Sequence, residues 1–439
     1  MGRKISPPDL FFKGTIMKIT AKFGGTSLSD AKAFDRAAKI VTADPARKYI
    51  TVSAPGKRYA DDTKITDLLY SAYGNGELSP VFDRFYALVR DLSLKTDLDA
   101  EYRAVKSAMA SHCGRDFVAS RGEYLSAKIF AQYIDYPFTD AADVIFFDED
   151  GNVDYNRTKS RFSAVLSACE KTVLPGFYGT SADGTVRTFP RGGSDITGAI
   201  TAACSHSDIY ENWTDVDGVL SADPKTIDNP AFLDIITYSE LKYLSAFGAG
   251  VLHEDALLPV RDLGIPIHIR NTEKPDGIGT KIVAARNTPR DFTGISGKGG
   301  FAGISISKDK IGRNRADLRE ISELFCRKKI NITLAAAESD SLFIVAEKEY
   351  FSCRTEMILN EICQIVMPSG ISYNDSIAVI CAAGDDFAGI TAKASLAMHD
   401  AKIKPLLISA GNGGGYVMIC INENQKDDAV RKIYAYLTT

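Results

Sequence analysis

Lys18-Ile19-Thr20-Ala21-Lys22-Phe23-Gly24-Gly25-Thr26-Ser27-Leu28-Ser29-Asp30 is the stretch whose reading decides the fold. Residues 18–23 read as a short β-strand. Two adjacent glycines and two hydroxyl residues follow. A helix over residues 30–41 comes next, with Ala33, Phe34, Ala37, Ile40 and Val41 at helical spacing and Ser29 as its cap. Adjacent glycines let backbone N–H groups approach an anion closely. The helix N-terminus adds a positive dipole end, and Lys22 adds a mobile point charge. The blander reading is a tight strand-to-helix turn with an incidental lysine, and this motif alone leaves both open.

Working outward, residues 48–54, 144–147, 172–176 and 208–213 read as further strands, and a helix starts at Ile65. Strand–helix alternation from Met17 to about Val283 argues for an α/β sandwich around a mainly parallel sheet. The rhythm then changes. Strand 304–307, helix 316–328, strands 330–335 and 341–346 and helix 351–362 form one run. Strand 377–382, helix 389–399, strands 405–409 and 416–421 and helix 425–436 repeat the order. Two βαββα-like runs suggest paired small α+β modules. The Gly-rich stretch 294–303 reads as the linker before them.

Composition bounds what the chain can be. Its 439 residues suggest about three domains. With 52 Lys plus Arg against 56 Asp plus Glu, the net charge of −4 gives no general attraction to nucleic acid or an anionic membrane. No run approaches the roughly 18 apolar residues of a membrane-spanning helix. The eight cysteines are scattered and none lies in a CxxC pair, which points to reduced thiols in a cytoplasmic compartment and to no structural zinc. Residues 1–16 read as a loose extension. Met1-Gly2-Arg3-Lys4-Ile5-Ser6 fits a myristoylation pattern that is short and matches often by chance.

Three more motifs carry chemistry. Arg191-Gly192-Gly193-Ser194-Asp195 repeats the glycine, hydroxyl and helix-start logic. Arg191 can hold a carboxylate or phosphate in two-pronged fashion, and Asp195 can orient a lysine or a metal; otherwise Ser194 or Asp195 is simply a helix cap. Trp213-Thr214-Asp215-Val216-Asp217-Gly218 follows a strand, where open α/β sheets bind ligands, unless it is only a turn with exposed aspartates. Ser120 to Ala127 sits near a helix start, where Glu123 either accepts an ammonium group or is a solvated carboxylate. Gly297-Lys298 lacks the hydroxyl of a Walker A loop, His253-Glu254 lacks the second histidine of HExxH, and His112 and His268 read as structural.

Taken in order, Lys22 to Ser27, Ser53-Ala54-Pro55-Gly56, Thr66-Asp67-Leu68-Leu69, Ser120 to Ala127, Arg191 to Asp195, Trp213 to Gly218 and Phe247-Gly248-Ala249 resemble aspartate kinase. The resemblance covers the chain from about Met17 to Thr439. It implies an amino acid kinase-like three-layer α/β sandwich over 17–285. Two ferredoxin-like ACT domains over 294–370 and 371–439 would follow, with strands that could interleave. The implied reaction is phosphoryl transfer from ATP, with Mg2+, to the β-carboxylate of L-aspartate, giving 4-phospho-L-aspartate.

The resemblance also assigns residues. Lys22 and Asp195 would be catalytic, Lys22 bridging phosphates and substrate. Ser53, Thr66, Glu123, Arg191 and Ser194 would hold aspartate, with Glu123 on its α-ammonium and Arg191 on its α-carboxylate. Lys22, Gly24, Gly25, Thr26, Thr214, Asp215, Leu220, Lys225, Gly250 and Val251 would line the nucleotide, and no protein metal ligand is assigned. A homodimer or dimer of dimers and an amino acid effector, lysine or threonine, at the ACT interface are further implications. The chain departs from the family pattern at Gly250, usually lysine; at Lys225, usually arginine; at Pro190, usually glycine; and at Asn331-Ile332-Thr333-Leu334-Ala335-Ala336. Gly250 keeps a second class open, a catalytically weak homologue acting as an amino-acid-binding regulatory protein. A kinase for another small acid, such as glutamate, is the third reading.

Overall fold

A computed structural model describes residues 17–190, 192–247, 252, 254–411 and 415–439. They fall into two compact units. The first draws on Met1–Val219, Asp234–Tyr238 and Val251–Arg286, and the second on Leu220–Leu233, Ser239–Gly250 and Asn287–Thr439.

In the first unit the principal elements are β1 (Ile19–Phe23), α1 (Ala31–Ala43), β2 (Arg47–Val52), α2 (Ile65–Asn75), α3 (Arg115–Ile134), β3 (Thr172–Pro175), α4 (Gly193–Ser205), β4 (Ile209–Thr214), β5 (Ile235–Thr237), β6 (Ile267–Asn271) and β7 (Thr280–Val283). The strands form one sheet in the order β3-β2-β1-β4-β6-β7-β5. Every neighbouring pair is parallel except β6 with β7. This is the mainly parallel α/β sheet expected. β1 is buried at all five positions, as a central strand covered on both faces must be. Its register sets Lys22 beside Thr51 of β2 and Asn212 of β4.

Three local expectations are corrected. Asp30, not Ser29, caps α1: its backbone is extended and its carboxylate accepts from the Ala33 amide at 2.9 Å, whereas Ser29 is itself helical. Residues 144–147 form only isolated bridges, from Phe146 to Thr180 and Phe147 to Val153. Asp140 caps a short helix, Ala141–Val144, and uses up the run that a strand needed. Finally, α3 starts at Arg115, so Ser120 to Ala127 lies in mid-helix. Its Gly122 permits close approach, since a Cβ there would stand 2.9 Å from Ala54 Cβ.

In the second unit, β8 (Gly294–Ser307), α5 (Arg315–Arg327), β9 (Ile332–Ala337), β10 (Ser341–Glu347), α6 (Thr355–Val366), β11 (Gly370–Ala383), α7 (Phe387–Asp400), β12 (Leu407–Ala410), β13 (Tyr416–Asn422) and α8 (Lys426–Leu437) follow in order. The six strands make one antiparallel sheet, β9-β10-β8-β11-β13-β12. β8 and β11 are long. The end of β8 lies between β10 and the start of β11, while the start of β8 flanks the end of β11, which pairs with β13. Each βαββα run therefore takes its fourth strand from the other and becomes a complete ferredoxin-like unit. Ile321, Leu324, Ile358 and Ile362 from α5 and α6 cover one part of the sheet, and Ile390, Ala394, Val430 and Ile433 from α7 and α8 the other. Residues 294–303 are thus not a linker but the first part of β8. Its glycines admit close neighbours: a Cβ on Gly303 would lie 2.5 Å from Ile377 Cδ1, and one on Gly297 2.9 Å from Val430 Cγ2. Among the described residues, no helix is long and apolar enough to cross a membrane.

Candidate active site

The site is built at the carboxyl ends of β1 and β4 in the first unit. Lys22 stands one residue before the end of β1 and is 7% exposed. Its Nζ lies 2.5 Å from Asp195 Oδ1, and it donates to Asn212 Oδ1 at 3.4 Å. Asp195 sits in the first turn of α4, behind Gly192, whose φ of +67° is a left-handed conformation that favours glycine. The two glycine turns, far apart in sequence, thus meet at one lysine. Gly24 belongs to the same spot: its N–H donates to the Trp213 carbonyl at 3.0 Å, and a Cβ on it would stand 3.5 Å from Lys22 Nζ.

The segment after β2 forms the adjoining wall. The Ser53 amide donates to the Phe23 carbonyl and the Gly56 amide to the Gly25 carbonyl, at 3.1 and 2.8 Å. A Cβ on Gly25 would come within 2.9 Å of the Ala54 carbonyl oxygen, so this is a backbone-to-backbone approach. Arg84 holds the far end by donating to the Gly56 and Thr63 carbonyls at 2.6 and 2.7 Å. Asp62 binds Arg58 at 2.8 Å and lies 3.6 Å from Arg84, and its hydrogen bonds from Arg58 hold its carboxyl well below the usual range. No glycine or helix start marks Arg84 and Asp62 in the sequence.

Glu123 lies beneath this wall and is 5% exposed. Its Oε2 has no hydrogen-bond partner. Burial pushes its carboxyl up to about 8, opposed by hydrogen bonds from the Ala54 amide and its own, and by the Arg121 charge. A solvated helical carboxylate is excluded. With its carboxyl raised this far, Glu123 holds its proton at neutral pH, and its Oε2 is left open.

The other expected residues are placed as follows. Thr26 is exposed and opens a short 3-10 turn, Thr26–Leu28. Thr66 is half-buried in the first turn of α2, and Ser194 in that of α4. Thr214 ends β4; its hydroxyl donates to Asp215 Oδ1 at 3.2 Å, and Asp215 is exposed. Leu220 and Lys225 belong to the second unit, where Lys225 is exposed. Arg191, Gly250 and Val251 lie outside the described residues. Asn212, not singled out by sequence, is the addition: its Nδ2 donates to Asp195 Oδ1 at 2.9 Å. The signal for it is register, because Asn212 faces Lys22 across β1 and β4.

Chemically, this arrangement presents an ammonium beside a carboxylate, a helix N-terminus, a glycine turn and a buried carboxyl with an open oxygen. It suits two anions held side by side.

The model of the amino acid kinase family matches residues 17–271. Aspartokinase 3 of Bacillus subtilis (strain 168) is 33% identical over 449 residues, covering 95% of this chain and 98% of that protein. The aspartate kinase of Clostridium acetobutylicum superposes with a TM-score of 0.83 at 35% identity, over 96% of this chain and 99% of that one. Escherichia coli aspartokinase III in complex with aspartate and ADP shares the fold, with a TM-score of 0.82 at 21% identity over 96% of this chain and 100% of that one. With a family model spanning the first unit's sheet from β1 to β6 and relatives that run nearly end to end, this chain belongs to the amino acid kinase family, among the aspartate kinases.

Proposed function

We propose that the chain transfers the γ-phosphoryl group of ATP to the β-carboxylate of L-aspartate, giving 4-phospho-L-aspartate. The observation that carries this reading is the Lys22–Asp195 pair at 2.5 Å, set between two glycine turns. A carboxylate is already nucleophilic at neutral pH, so no general base is required. The difficulty is repulsion: two unit charges 4 Å apart interact by about 4 kcal/mol at an effective dielectric near 20. Lys22 and the N-terminus of α4 are the groups that offset it, and they also stabilise charge built up during transfer.

Aspartate is read as lying across the wall after β2. Its α-ammonium meets Glu123, which ionises when that cation arrives, and Ser53, Thr66 and Ser194 supply hydroxyls. Arg191 is assigned to the α-carboxylate. Gly24, Gly25, Thr26, Thr214 and Asp215, together with Leu220, Lys225, Gly250 and Val251, are assigned to the nucleotide. Among the described residues, no three acidic, His or Cys side chains cluster as a metal cage. Mg2+ would be carried on the nucleotide's phosphates and would neutralise part of their charge. The ACT-like modules are read as binding lysine or threonine, in a homodimer or dimer of dimers. The eight unpaired cysteines fit a reducing, cytoplasmic setting.

The test is ADP release measured with L-aspartate, L-glutamate and N-acetylglutamate as acceptors. Turnover with aspartate well above the other two is expected. Preference for another acceptor would replace the substrate. No turnover with any of them would favour the non-catalytic homologue.

A further inference from the structure

We propose that Asn212 is a positioning residue that keeps Asp195 in place while Lys22 turns from it toward the phosphates; this rests on the aspartate kinase reading above. The register sets Lys22 and Asn212 directly opposite each other on adjacent strands, so both side chains leave the same face. With Asp195 they close a three-membered ring. Lys22 Nζ lies 2.5 Å from Asp195 Oδ1, Asn212 Nδ2 donates to the same oxygen at 2.9 Å, and Lys22 donates to Asn212 Oδ1 at 3.4 Å. The amide cannot serve the other way round, because its donor end must meet the carboxylate and its acceptor end the ammonium.

The edges of the ring differ in strength. The amide's hold on the carboxylate is short, and its hold on the lysine is long. Lys22 therefore loses little from Asn212 when it turns, while the bond from Asn212 to Asp195 stays. That bond matters because water reaches the carboxylate only in part: the Asp195 side chain is 18% exposed and Asn212 2%, so a carboxylate left by its cation still leans on this amide. Left without a donor, Asp195 would either hold Lys22 back or move off the site.

β4 secures the same turn a second time. Tyr210, on the same face two residues earlier, is fully buried, and its hydroxyl donates to the Asp195 carbonyl at 3.0 Å. Gly198 makes room for it, since a Cβ there would stand 2.6 Å from the Tyr210 oxygen. The main chain of Asp195 is thereby fixed by Tyr210, and its side chain by Asn212. The amide side chain is what this face adds beyond packing.

The experiment is steady-state ADP release by the full chain and by Asn212→Leu and Asn212→Gln at pH 8. Loss of one donor to a part-buried charge predicts that Asn212→Leu lowers kcat by about 10- to 100-fold, with both KM values within about threefold. Asn212→Gln, which keeps an amide, should recover at least about fivefold over Asn212→Leu. An active parent whose Asn212→Leu variant keeps kcat within about threefold overturns the inference alone. So does a kcat loss with no recovery in Asn212→Gln. A parent without aspartate-dependent ADP release overturns the functional reading and takes this inference with it. If Asn212→Leu lacks a cooperative melt, Asn212→Asp decides. That nearly isosteric change gives Lys22 a second carboxylate to leave, and should lower kcat by at least about tenfold at pH 8; an unchanged kcat overturns the role.

Discussion

Residues 22–27 and 294–303 are both glycine-rich, both carry a lysine, and serve opposite ends. In the first, glycine lets backbone meet backbone: a Cβ on Gly25 would lie 2.9 Å from the Ala54 carbonyl oxygen and 3.3 Å from the Gly56 nitrogen. Gly24 of the turn stays near Lys22, a Cβ on it standing 3.5 Å from Nζ, and Lys22 is buried against Asp195. In the second, the backbone is spent on a β-ladder, and glycine lets side chains from elsewhere close over it. Lys298 there faces outward and pairs with Glu347 at 2.6 Å. Glycine content marks close approach in both. What approaches decides whether the result is a binding turn or a covered strand.

Lysine replacement is the severest way to break that contrast. Lys22→Ala should lower kcat by about 10³-fold or more, since it removes the charge proposed to sit between both anions. Lys298→Ala should leave kcat within about twofold, as expected for an exposed pair. ADP release reads both, and a Lys22→Ala variant within about tenfold of the parent would cancel the distinction. Next come the glycines. Gly25→Ala forces two backbones apart and should cost about 10²-fold in kcat. Gly303→Ala presses on Ile377 and Phe343 and should cost about 1–3 kcal/mol of stability instead, with kcat kept below its melting point. Chemical denaturation alongside kinetics separates the two losses.

Glu123 sharpens the comparison from the substrate side. Glu123→Gln should raise the KM for aspartate by about 10- to 100-fold, as for loss of a hydrogen bond to a charged group. The same change should stabilise the free protein. Glu123 goes from an ordinary carboxyl near 4.5 when unfolded to about 8 when folded. Between those values the folded state holds a proton that the unfolded state lacks, so stability falls as pH rises, and the penalty is complete above about pH 8. The melting point of Glu123→Gln should therefore exceed that of the parent at pH 8.5, and by less at pH 6. An identical gap at both pH values would argue against the elevated carboxyl. The smallest effect expected is in the parent: its KM for aspartate should drop by about threefold to tenfold from pH 7 to pH 9 as Glu123 ionises.

Much of this was open to reading in the residues, and the exceptions share a cause. The strands that carry Lys22 and Trp213 have local patterns, and so do the glycines at 24–25 and 192–193. Local pattern was enough to bring Lys22, Asp195 and Glu123 forward. Asn212 has no local mark. Its meaning comes from its register with Lys22, which only the folded sheet supplies. For Glu123 the residues left a solvated carboxylate open as well, because α3 has no clean polar face: Val118, Leu125, Ile129 and Phe130 are buried, and so are Ser120, Arg121 and Ser126. The stretch 294–303 looked like a linker because glycine lowers β-propensity, and partners from β11 and α8 overrode that preference.

The exchange of strands between the two C-terminal modules has a consequence for inheritance. Because β8 and β11 each serve both modules, deleting either one strips an outer strand from the survivor and bares an edge prone to aggregation. Gain or loss of one module alone would carry that cost, and a protein engineer transplanting this region should carry residues 294–439 together.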